Sequence, residues 1–108
     1  MTEINKDKTV ATLINVFFVE PENQQKLVEV LIEATDKVIR NQKGFVSVNI
    51  HKSLDGKRVI NYAQWKTRED FEAIFKNPDV APHMQKALEL CIEKNDGRLY
   101  EVVHTDTK

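Results

Sequence analysis

Apolar side chains recur along this chain with two different periods, and the changes between them mark out its elements. From Thr9 to Val19 (TVATLINVFFV) β-branched and aromatic residues crowd together, which describes a strand with apolar side chains on both faces. Glu20-Pro21 then opens a helix, proline being tolerated at the first helical position. Along it Leu27, Val30, Leu31, Ala34 and Val38 recur at intervals of three and four, with Lys26, Glu29, Glu33 and Lys37 opposite. The helix is expected to fray near Asn41, with Gly44 closing the connection. Phe45 to Ser53 alternates, and Lys57 to Lys66 is its return strand. Between them Asp55-Gly56 predicts a two-residue type I′ turn, whose central residues both take positive φ. Centring the hairpin there puts Ile50 opposite Asn61, Val48 opposite Ala63 and Val46 opposite Trp65, so these six share one face. Ser47, Asn49, His51, Tyr62 and Gln64 share the other, more polar face.

Thr67 and Asp70 predict a capped helix start, with Asp in place of the usual Glu or Gln. That helix carries Phe71, Ile74 and Phe75 and ends at Asn77-Pro78. A third helix is predicted from Ala81 to Glu93, with Met84, Ala87, Leu88 and Cys91 on its apolar side. Asn95-Asp96-Gly97 reads as a turn and Arg98 to Thr105 as the last strand. The order β-α-β-β-α-(α)-β is that of an α+β, ferredoxin-like βαββαβ fold, one antiparallel sheet with helices on one face. A single domain is expected over 9–105, with 1–8 and 106–108 as flexible tails. The helices cover one face only, yet the first strand is apolar on both. A second copy of the sheet is the simplest cover, which predicts a homodimer formed by sheet-to-sheet packing, a dimeric α/β barrel.

Composition removes several classes of function. The 108 residues carry a formal net charge of −1 and no basic run with interleaved aromatics, so nucleic acid is not an expected partner. No apolar run approaches the roughly 18–20 residues that cross a bilayer, and the first eight residues hold no apolar core of a secretory signal. No membrane association is expected, and the expected compartment is the cytoplasm. Cys91 is the only cysteine, which excludes an internal disulfide or a CxxC site and makes it a small apolar residue on a helix face. Three scattered histidines show no metal-ligand spacing, and the three glycines all fall at turns rather than in a phosphate loop. Neither a metal nor another cofactor is expected.

The chemistry concentrates in Val59 to Trp65. Asn61, Ala63 and Trp65 share a face, so a carboxamide and an indole look into one space, a recognition surface for a flat aromatic molecule. Asparagine is disfavoured inside a strand, and a buried amide needs partners. His51 and Tyr62 fall on the opposite face, where contacts with a second copy are expected, and His104 lies near the end of the last strand.

Over Val10 to Val103 the chain resembles the antibiotic biosynthesis monooxygenase family. The carriers are INVFFVEPENQQKLVEVL, GFVSVNIHKSLDGKRVINYAQW, the following KTREDF, and His83. The resemblance implies a cofactor-independent monooxygenase for a small aromatic or quinol-type substrate, with Asn61 and Trp65 holding the substrate and its oxygenated form. His83 is the candidate proton carrier, since an unperturbed histidine pKa lies near neutrality, and Asn15, Phe71 and Ile74 are implied wall residues of a pocket between sheet and helices. Such oxygenases carry a tyrosine six residues after the tryptophan; Phe71 stands there without a hydroxyl. That departure gives weight to an alternative, a non-catalytic dimeric module binding a hydrophobic small molecule. A haem-degrading branch matches at Asn15 and His83 but needs a tryptophan on the second helix, where this chain has Ile74.

Overall fold

A computed structural model describes residues 3–5 and 10–108. Its order is β1 (Ala11–Phe18), α1 (Pro21–Lys37), β2 (Phe45–Lys52), β3 (Arg58–Trp65), α2 (Arg68–Ala73), α3 (Ala81–Glu89) and β4 (Asp96–Tyr100), with short 3-10 turns at Ile39–Asn41 and Ile74–Lys76. The four strands form one antiparallel sheet in the order β2-β3-β1-β4, the ferredoxin-like arrangement. Thr9, expected to begin the first strand, lies outside the described residues. Among the described residues no helix is long and apolar enough to cross a membrane.

Local sequence explains each boundary. Pro21 sits at the first turn of α1, and Val38 ends that helix by donating its backbone N–H to Ala34. Gln24, buried in the first turn, donates from Nε2 to the carbonyls of Ser53 (2.9 Å) and Arg58 (3.0 Å), tying the helix to the hairpin. At α2 the Thr67 hydroxyl accepts from the Asp70 N–H at 3.0 Å, half of a capping box. The Asp70 carboxylate lies instead against Gly44, whose φ of 82° and missing side chain make room for it.

Three expectations are corrected. Asp55 does not take positive φ; among the described residues only Gly44 and Gly56 do. The turn spans Ser53 to Gly56, closed by Gly56 N–H to the Ser53 carbonyl (3.1 Å), and Asp55 Oδ1 accepts from Ser53 Oγ and Lys57 N. The hairpin's centre is unmoved, so Ile50 still faces Asn61 and Val48 faces Ala63. Val46, however, does not face Trp65. A bulge between Phe45 and Ser47 leaves Val46 over and sets Phe45 opposite Trp65, ring edge to ring face at 5.9 Å and 90°. Finally α3 stops at Glu89, because Cys91 and Ile92 leave the helix to bond the end of β1. The last strand accordingly begins earlier than expected, at Asp96, and ends at Tyr100, where its partner β1 runs out.

The helices pack on one face of the sheet. Phe17, Val19, Leu27, Leu31, Val59 and Ala87 form one buried cluster, and Ile39, Trp65 and Val80 anchor a second. By alternation Ile14, Val16, Phe18, Ile60 and Tyr62 occupy the opposite face, each half-buried within the single chain. One corner of that face is closed by the chain itself, since Gln64 Nε2 donates to the Glu3 carbonyl at 2.7 Å.

Leu27 is fully buried and Ile32, on the same helix, is 44% exposed. Leu27→Ala is therefore expected to lower unfolding free energy by about 2–5 kcal/mol in urea titration, and Ile32→Ala by less than about 0.5 kcal/mol.

Candidate active site

Between the sheet and the helices lies a cavity of about 330 Å³. Strands β1 and β3 supply its floor, Leu13, Asn15 and Phe17 beside Asn61, Ala63 and Trp65. Leu31 and Ala34 of α1, Phe71 and Ile74 after the Thr67 cap, and Met84 of α3 wall it in. Phe75 and Leu88 also line it, yet they are 68% and 43% exposed, so they frame its mouth. Among the described residues no lining residue is ionisable at neutral pH.

The floor is built by register. Asn15 pairs with Asn61 across β1 and β3 and with Gly97 across β1 and β4, so two carboxamides sit side by side on the floor. Trp65 stands four residues beyond Asn61 on the same face, about 13 Å along the strand at the usual rise. Its ring is held by Phe45 and, at 6.4 Å, by Phe71. Asn61 Oδ1 and Trp65 Nε1 are both buried without a hydrogen-bond partner. Such an atom costs about 1–3 kcal/mol if left unpaired, so a largely apolar chamber holding an unpaired acceptor and an unpaired donor is built to receive a polar ligand. The third buried polar atom without a partner, the Tyr62 hydroxyl, is on the opposite face of the sheet.

Of the expected site residues, Asn61, Trp65, Asn15, Phe71 and Ile74 converge on this one cavity. His83 does not line it. That half-buried side chain of α3 stands toward α1, close enough for its charge to act on Glu33. Glu33 is held below the usual carboxylate range mainly by its hydrogen bond to Lys37 and the Lys37 charge, then by Lys86, and more weakly by His83. Asn15 and His83 therefore do not share a chamber, and a haem seated between them has no support in this geometry. His51 is exposed and contacts its neighbour Asn49. Cys91 lies past the end of α3; burial pushes its thiol up, and Sγ donates to the Ala87 carbonyl. Among the described residues no group of three His, Cys, Asp or Glu is placed to hold a metal ion.

One cavity residue escaped the sequence reading. Asn95 was expected in a turn, but it lines the cavity and donates from Nδ2 to Asn15 Oδ1 at 2.8 Å. The sequence signal was an asparagine beside a glycine that pairs with another asparagine, visible only once the β1–β4 register is known.

Comparison with known proteins agrees with the fold. The sequence profile described as antibiotic biosynthesis monooxygenase matches residues 11–90. Tetracenomycin-F1 monooxygenase of Streptomyces glaucescens is 43% identical over 83 residues, covering 77% of this chain and 74% of that protein. A monooxygenase from the gene ActVA-Orf6 of Streptomyces coelicolor, solved in complex with nanaomycin D, superposes with a TM-score of 0.81 at 26% identity, covering 91% of each chain. SnoaB, a cofactor-independent oxygenase from Streptomyces nogalater, shares the fold with a TM-score of 0.73 at 21% identity, over 89% of this chain and 95% of that one.

Asn61→Leu replaces the unpaired amide with an apolar side chain of similar size. It is expected to raise stability by about 1 kcal/mol, a gain of roughly 4–8 °C in Tm by calorimetry, while weakening ligand binding.

Proposed function

The chain belongs to the antibiotic biosynthesis monooxygenase family, and from that premise we propose that it is a cofactor-independent monooxygenase. Its substrate is a small aromatic of quinol type held in the chamber between sheet and helices. The observation that carries this reading is the pair of buried, unpartnered polar atoms, Asn61 Oδ1 and Trp65 Nε1, in a largely apolar chamber. The relative of 43% identity is by name a monooxygenase, and the Streptomyces coelicolor neighbour binds a small molecule, nanaomycin D.

The chemistry needs electrons, and the substrate supplies them. A deprotonated phenol is electron-rich enough to reduce O2. A ring C–H becomes a carbonyl, one oxygen atom enters the product and the other leaves as water. The protein's part is to strip water from the ring and to stabilise the oxyanion with fixed donors. The Trp65 N–H and the Asn15 amide N–H are the groups in position to do so, while Asn61 Oδ1 accepts from the substrate hydroxyl before its proton leaves. With no ionisable side chain in the wall, the phenol loses its proton to water at the mouth rather than to His83. Phe71 then contributes shape, its ring tilted against that of Trp65, and no proton chemistry. The protein works as a homodimer in the cytoplasm. A second copy covers the half-buried apolar strip Ile14, Val16, Phe18 and Ile60 on the open face.

Oxygen uptake over a panel of hydroquinones tests the activity. Wild type is expected to consume O2 with at least one member, and Asn61→Ala to lower kcat/KM by about 10–100-fold, the loss of the hydrogen bond that seats the substrate hydroxyl. Uptake by no member, with saturable binding retained, identifies a binding module instead. The pH at half-maximal rate is expected to move with the phenol pKa when two active substrates are compared, and His83→Ala to stay within about twofold of wild type. A fixed inflection near the histidine range of about 6.5 for both substrates contradicts the proton path.

A further inference from the structure

Asn15 is held from two sides by β4 and the residue before it. Its amide lies over Gly97, where a Cβ would come within 2.9 Å of Oδ1, 3.0 Å of Cγ and 3.4 Å of Nδ2. Gly97 does not take positive φ, so the backbone does not demand glycine there; the space over it does. From that position Asn15 Oδ1 accepts the hydrogen bond from Asn95 Nδ2 at 2.8 Å. A carboxamide has one accepting oxygen and one donating nitrogen, so occupying the oxygen leaves the nitrogen as the end offered to a ligand. Asn15 is also the cross-strand neighbour of Asn61, whose Oδ1 has no partner. The floor thus presents a donor beside an acceptor, the pattern that one hydroxyl group satisfies at once.

We propose that Asn95 is a positioning residue for the monooxygenase reaction. Its hydrogen bond to Asn15, made possible by the bare backbone of Gly97, fixes the direction of the Asn15 amide so that Asn15 donates and Asn61 accepts at the same substrate oxygen. Asn95 acts through Asn15 and does no chemistry itself. As the phenol becomes a phenolate, the oxygen loses its proton to the medium and gains need of donors. The Asn15 N–H bond then strengthens with the developing charge, so the effect falls on kcat more than on KM. This assignment rests on the proposed oxygenase reading for its kinetic consequence, but the amide orientation stands apart from it.

The test is Asn95→Asp, which keeps size and removes the donor. An aspartate at 95 accepts only, so the Asn15 amide must turn its nitrogen toward it and present oxygen to the substrate. In ¹⁵N–¹H spectra of the unliganded protein the Asn15 side-chain NH2 pair is expected to shift, with backbone resonances of β2 and β3 unchanged. With an active hydroquinone, kcat is expected to fall about 10–100-fold and KM to change by less than about threefold. Gly97→Ala, which displaces the same amide without touching Asn95, is expected to repeat the kcat loss. An unshifted Asn15 NH2 pair in Asn95→Asp overturns the assignment whether or not the wild type turns over any substrate. So does a kcat within twofold of wild type for Asn95→Asp. Absence of O2 uptake by wild type, with the Asn15 pair shifted, overturns the oxygenase reading and leaves the amide orientation standing.

Discussion

The structure turns on two polar atoms buried without partners at the floor of an apolar chamber. Unpaired, Asn61 Oδ1 and Trp65 Nε1 together cost several kcal/mol, on the order of half the net stability of a small domain. A chain of 108 residues has little core from which to offset that. The rest of the architecture can be understood as the means of holding them there. Both residues lie on β3, a central strand paired along its whole length to β1 and β2, so neither side chain can leave by local unfolding of an edge. Phe45 and Phe71 clamp the indole, and the bulge at Val46 is what swings Phe45 into place.

The same constraint explains the division between the two faces of the sheet. Among the described residues the chamber's lining holds no ionisable group, so charge created on a bound ring finds fixed dipoles and no mobile counter-ion. Ionisable side chains stand outside that lining, as His83 does on α3. The open face carries a partly buried apolar strip beside a polar corner, a surface suited to a second copy of itself.

Much of this was legible in the sequence, and the parts that were not share a cause. Period placed β1 and α1, the Asp55-Gly56 pair placed the hairpin, the Thr67 cap placed α2, and an asparagine inside a strand flagged Asn61, because all these signals are local. The Asp55-Gly56 centre set the register correctly although the turn has another form, since register depends on where the hairpin folds and not on how. The Val46 bulge was hidden because it leaves the alternation of Phe45 to Ser53 intact and shows only in the cross-strand pairing of Phe45 with Trp65. Asn95 was read as a turn because its role depends on β4 pairing with β1, eighty residues away. His83 was drawn into the site by resemblance, but only the rotation of α3 decides which side of that helix faces the chamber. Contacts made within an element can be read from the chain, and those made between elements need the fold.

Trp65 is the chain's only tryptophan, so its fluorescence reports on the chamber alone. Titration with a bicyclic hydroquinone under argon, in wild type and in Asn61→Leu, measures the central claim directly. A saturable change in Trp65 emission at one ligand per protomer, weakened at least tenfold by Asn61→Leu, is the predicted result. Emission that does not respond to ligand, or that responds equally in both proteins, would show that the orphaned amide and indole are not a binding pair.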